Sequence, residues 1–207
     1  MNFNKLKQAE EAFLNRYPGG FDNPEMVEIG KKHKMDKMIG FTHACFEKNN
    51  FNQPDLIVDN MIKVVSRSSM VSVFEKPKFR DYVISLSPPS KLLLSQGLDF
   101  LLYGNEQQGF EMILDVLKNG KLAKWSLMTI CQTYFRPDFD VFIKPTTTKW
   151  VIEFLEIDHL KYKPTPTWSF YEQYRSLINE IKSEVDPSLS RYNAAFSGFL
   201  MLSMKDY

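Results

Sequence analysis

Pro166-Thr167-Trp168-Ser169-Phe170-Tyr171-Glu172-Gln173-Tyr174-Arg175-Ser176-Leu177-Ile178-Asn179-Glu180-Ile181-Lys182-Ser183-Glu184-Val185 is the stretch that decides the fold class. Tyr171, Tyr174, Ile178, Ile181 and Val185 recur three and four positions apart, which places them on one face of an α-helix. The same period governs most of the chain. Phe3, Leu6, Ala9 and Phe13 form a stripe that Tyr17-Pro18-Gly19-Gly20 stops. Asn23-Pro24 signals a helix over 25–32, because proline suits the first helical position. Met35, Met38, Ile39 and Thr42 continue in a further segment, closed by Asn49-Asn50. Pro54 opens a helix carrying Ile57, Met61, Val64 and Val65, and Ser87-Pro88 one carrying Leu94, Leu98, Leu101 and Leu102. Asn105 with Gln108 resembles a capping box ahead of Phe110, Ile113, Leu114 and Leu117, with Gly120 at the C-cap. Ala194–Met204 reads as a buried final helix. Strand patterns are confined to Met70–Phe74 and Asp140–Ile143. The expectation is a mainly α, single-domain bundle of roughly eight helices over 1–207, with at most short strands. Lys76-Pro77 is the candidate subdomain seam.

Composition narrows the function classes. A chain of 207 residues can withdraw roughly 70% of its surface from water, enough for its own core. Hydrophobic residues make up 43% and charged residues 25%, which argues against a disordered chain, a fibre or a disulfide scaffold. Lys and Arg total 26 against 25 Asp and Glu, a net charge of +1, whereas nucleic-acid-binding domains usually run strongly basic. No apolar run follows Met1, and none approaches the ~20 residues that span a bilayer. Cys45 and Cys131 belong to no metal or redox spacing. A cytoplasmic location without membrane contact is expected.

Motifs that carry chemistry are scarce. Neither Gly-x-x-x-x-Gly-Lys-Ser/Thr nor Gly-x-Gly-x-x-Gly occurs, and there is no Gly-x-Ser-x-Gly elbow. His43 and Cys45 lie two apart, which on a helix points them to different faces, so they form no zinc site alone. No cofactor or metal is expected. Pro137-Asp138 with Glu180-Ile181-Lys182 matches the letters of a metal-dependent nuclease, making Asp138, Asp140 and Glu180 the alternative, catalytic set. Ile181 belongs to the apolar stripe, so Glu180 and Lys182 fall on its solvated flanks.

The most informative segment is Arg136-Pro137-Asp138-Phe139-Asp140-Val141-Phe142-Ile143-Lys144-Pro145-Thr146-Thr147-Thr148-Lys149. An extended piece runs into a helix with Val151, Phe154 and Leu155 on its apolar face. Thr146, Thr147 and Thr148 place hydroxyls beside the free N–H groups of the first turn, and Lys144 and Lys149 bracket them. Such an end can hold phosphate or carboxylate, while plain capping by the threonine hydroxyls explains most sequences of this kind. The candidate ligand-binding residues are therefore Arg136, Lys144, Thr146, Thr147, Thr148 and Lys149. Twelve aromatic residues, all three tryptophans among them, lie within 125–174. They could stack bases, or build a core with a lysine rim. A second basic cluster, Lys31-Lys32-His33-Lys34-Met35-Asp36-Lys37, sits at a helix junction.

Phe142-Ile143-Lys144-Pro145-Thr146-Thr147-Thr148-Lys149, with the following Tyr162, Pro164, Pro166, Trp168 and Tyr171, resembles a Phe-x-Lys-Pro-Thr-x-x-Lys region in prokaryotic proteins of unassigned function. The resemblance implies a bacterial cytosolic protein and transfers no activity. The leading expectation is a non-catalytic binding module for a phosphate-bearing ligand, nucleic acid or a protein partner. The alternatives are the hydrolase or nuclease above and a structural protein that oligomerises through exposed aromatics.

Overall fold

The structure, a computed structural model, describes residues 1–203. Among the described residues it is helical throughout, with eleven α-helices, three short 3-10 turns and no strand. The helices are α1 Phe3–Arg16, α2 Pro24–Lys31, α3 Met35–Cys45, α4 Pro54–Arg67, α5 Glu75–Ile84, α6 Pro88–Tyr103, α7 Glu106–Asn119, α8 Trp125–Phe135, α9 Pro145–Phe154, α10 Trp168–Ser183 and α11 Asn193–Ser203. Met204, the last residue expected in the final helix, lies outside the described residues. No described helix is long and apolar enough to cross a membrane.

Local chemistry sets the boundaries. Asn23 caps α2 by accepting from the Glu25 N–H at 3.0 Å, with Pro24 at the first position. Asn105 accepts from the Gln108 N–H at 2.9 Å, the forward half of the expected capping box. Thr167 starts α10 in the same manner.

The count of roughly eight helices falls short because α5 and α8 carry no clean stripe. In α5 only Phe79 and Val83 are buried, among charged neighbours and Pro77. Lys76-Pro77, the suspected seam, lies within its first turn, and α5 packs on α4. In α8 the opposite holds: every residue from Leu127 to Tyr134 is buried, so apolar and polar positions do not alternate. This helix touches α3, α4, α6 and α7, and one apolar cluster runs around it from Leu6 to Leu200.

Neither expected strand forms. Val141 and Ile143 are fully buried in an extended loop. Their N–H groups bond to side chains rather than to a partner strand: Val141 to the Tyr171 hydroxyl at 3.4 Å, and Ile143 to Thr129 Oγ1 at 3.2 Å. A buried N–H must find an acceptor, and these hydroxyls supply it. The clustered aromatics are mostly core: Trp125, Tyr134, Tyr171 and Tyr174 are buried, while Phe139 and Trp150 are exposed.

Candidate functional site

Lys144 is the N-cap of α9, with extended backbone, and Pro145 takes the first helical position. No side chain caps this end, so the expected threonine capping does not occur. Each threonine has a different fate. Thr146 is exposed. Thr148 is buried beside the Tyr174 phenol; burial pushes that phenol up to about 12 while the threonine contact pulls it down. Thr147 is 6% exposed, and its hydroxyl has no hydrogen-bond partner among the described residues. It lines a cavity of about 180 Å³ with Lys144, Phe142 and Tyr174.

Two segments remote in sequence close that cavity. His33 comes from the α2–α3 junction and Ser69 from the loop after α4, and His33 Nδ1 is 2.9 Å from Ser69 Oγ. The junction turns sharply because Lys34 adopts φ 47°, a left-handed conformation unusual for a lysine. The remaining wall is α11, through Ala194, Ser197, Gly198 and Met201. Gly198 marks no close helix crossing. A Cβ there would meet only Phe21 Cζ, at 3.9 Å.

The electrostatics of the cavity are one-sided. Lys144 and His33 are its charged or titratable basic side chains, and among the described residues no carboxylate lines it. Lys144 makes no ion pair among the described residues. The His33 imidazole is held below its ordinary value by burial first and then by the Lys32 and Lys144 ammoniums. In this cavity a further positive charge is therefore disfavoured. The first-turn N–H groups of α9 add partial positive charge at the same end.

The other predicted residues go elsewhere. Arg136 is committed to a buried network, with Nε 2.6 Å from Asp140 Oδ2 and Nη2 2.7 Å from Glu106 Oε1. Arg175 completes the network at 3.0 Å from Asp140 and 2.7 Å from Glu106, and Tyr171 donates to Asp140 at 2.8 Å. Burial pushes the Glu106 carboxyl up, and Arg175 and Arg136 more than reverse this, leaving it below its ordinary value. Two guanidiniums facing two carboxylates make a balanced structural unit. Lys149 is exposed with its ammonium 5.2 Å from the centre of the Tyr162 ring.

The alternative catalytic set is not assembled. Asp140 is fully buried in that network, whereas Asp138 and Glu180 are exposed. Among the described residues no group of three or more His, Cys, Asp and Glu could hold a metal ion. Cys45 and Cys131 are free and buried, and burial pushes the Cys131 thiol up to about 12. His43 stacks on Phe135 with ring centres 4.6 Å apart.

Sequence reasoning missed His33, Ser69 and Tyr174 as members of one site. The only available signal was the basic 31–37 cluster, which lies far along the chain from Lys144. In comparisons with known proteins, no family model, no curated protein and no solved structure matches the chain.

Proposed function

We propose that the chain is a non-catalytic binding protein for a small phosphate-bearing ligand, seated where His33, Ser69, Lys144 and Thr147 converge. The observation that carries this reading is the cavity itself, where Lys144, His33, Ser69 and Thr147 converge and, among the described residues, no carboxylate lines the wall. A phosphate monoester brings about two negative charges and three acceptor oxygens. Lys144, the Thr147 hydroxyl and the Ser69–His33 pair are donors suited to them. A small ligand fits better than nucleic acid, because the cavity holds only about 180 Å³. Six of the twelve aromatics that could stack bases are also buried, and four more pack partly buried against the core. The buried free thiols and the resemblance around Phe142–Lys149 support a bacterial, cytoplasmic setting for this activity.

The test is a titration with methyl phosphate followed by amide NMR. Saturable shifts are expected at Thr147, Ser69 and His33. Lys144→Gln should weaken binding roughly tenfold or more, the scale of one hydrogen bond to a charged group. Lys149→Gln, which lies over Tyr162, should not. Absence of saturable shifts sinks the reading. Equal loss from both variants, with salt-sensitive binding of single-stranded DNA, would favour an extended nucleic-acid surface instead.

A further inference from the structure

The geometry points to an amphipathic ligand, a phosphate monoester carrying a single hydrocarbon chain. This rests on the anion-binding reading above and extends it to the other half of the molecule bound. A second cavity, of about 290 Å³, adjoins the first, and His33, Met70, Gly198 and Met201 border both. Its further wall is apolar, formed by Phe21, Met26, Ile29, Met35 and Leu202. Among the described residues no carboxylate lines it either, and its cationic residue Lys32 neighbours His33. The combined space thus has donors and cations at the α9 end and methionine, phenylalanine and aliphatic carbon at the α2 end.

That polarity matches a molecule with an anionic head and an apolar tail. Four methionines face the space, and their unbranched thioethers adapt to a flexible chain better than branched residues do. Gly198, with nothing closer than 3.9 Å to an added Cβ, keeps the passage between the two lobes open. A sugar phosphate would fill the first lobe and leave the second wet. A neutral lipid would fill the second and leave Thr147 and Lys144 unanswered.

The experiment compares methyl, butyl and octyl phosphate with octanoate and octanol on the intact chain, reading affinity by calorimetry and the methionine methyl resonances by NMR. Each buried methylene should tighten binding roughly threefold to fourfold. Met26 and Met35 methyls should shift with octyl phosphate and not with methyl phosphate. Ala195→Leu, which intrudes on the second lobe alone, should erase the gain from chain length and leave methyl phosphate affinity unchanged. Equal affinities for methyl and octyl phosphate overturn the amphipathic assignment and leave the anion site standing. Octanol binding as tightly as octyl phosphate overturns the role of the head, and octanoate matching it overturns the phosphate assignment. Failure of every compound overturns both readings.

Discussion

His33 Nδ1 lies 2.9 Å from Ser69 Oγ, and this contact joins the α2–α3 junction to the loop after α4 at the mouth of the cavity. The imidazole is half-buried and faces Lys32, Lys144, Ser69 and Tyr174. Burial and the two ammoniums hold its pKa in the folded chain below the ~6.5 of an unfolded one. Between those two values the unfolded chain binds more protons, so stability rises with pH across that window. Below the folded value the full cost of protonation is present; above about 6.5 it is gone. Denaturant melts at pH 5 and pH 7 should therefore show a smaller stability loss on acidification in His33→Gln than in the parent. An identical loss would contradict the placement of His33 among the lysines.

The Asp140 network predicts a large stability effect. Asp140 is fully buried and meets Arg136, Arg175 and the Tyr171 hydroxyl. Removing one member of a buried pair costs about 3–5 kcal/mol, because the remaining charge is stranded. Glu106 still answers both arginines, so the lower end applies. Asp140→Asn should lose about 3 kcal/mol, a fall in Tm of about 6–12 °C for a chain of this size. A fall below about 2 °C would mean that Glu106 alone satisfies both guanidiniums.

The α6–α7 crossing makes a prediction in which packing opposes propensity. A Cβ on Gly109 would lie 2.3 Å from the Leu101 backbone N and 2.5 Å from the Gly97 carbonyl O. Alanine gains about 1 kcal/mol of helix propensity over glycine. Overpacking against backbone costs about 1–3 kcal/mol or more, since neither helix can yield locally. Gly109→Ala should destabilise on balance. Gly40, inside α3 with nothing within 4 Å of an added Cβ, should instead gain about 0.5–1 kcal/mol on Gly40→Ala. Chemical denaturation of both variants checks the pair, and equal signs would contradict the packing.

Particular elements show how far the sequence could be read. In α10 the spacing of Tyr171, Tyr174, Ile178 and Ile181 is visible because one face is solvated. In α8 the burial is all round, so the most central helix has the least legible period. The start of α9 at Pro145 could be read from the residue types. The division of labour among its threonines could not, because Thr148 turns to Tyr174 and Thr147 to a cavity walled by α11. Arg136 looked like part of the same basic surface and is drawn instead to Asp140 and Glu106. Tertiary partners decide such assignments, and local spacing does not contain them.

The central claim is that an anion seats beside His33, Lys144 and Thr147. The most direct measurement is the His33 imidazole pKa by NMR, in the absence and presence of saturating methyl phosphate. Without ligand the value should lie below 6.5, depressed by burial and the flanking lysines. With ligand the nearby negative charge should raise it by about half a unit or more, and the affinity should rise correspondingly as pH falls. A His33 pKa that is the same in both states would contradict the claim.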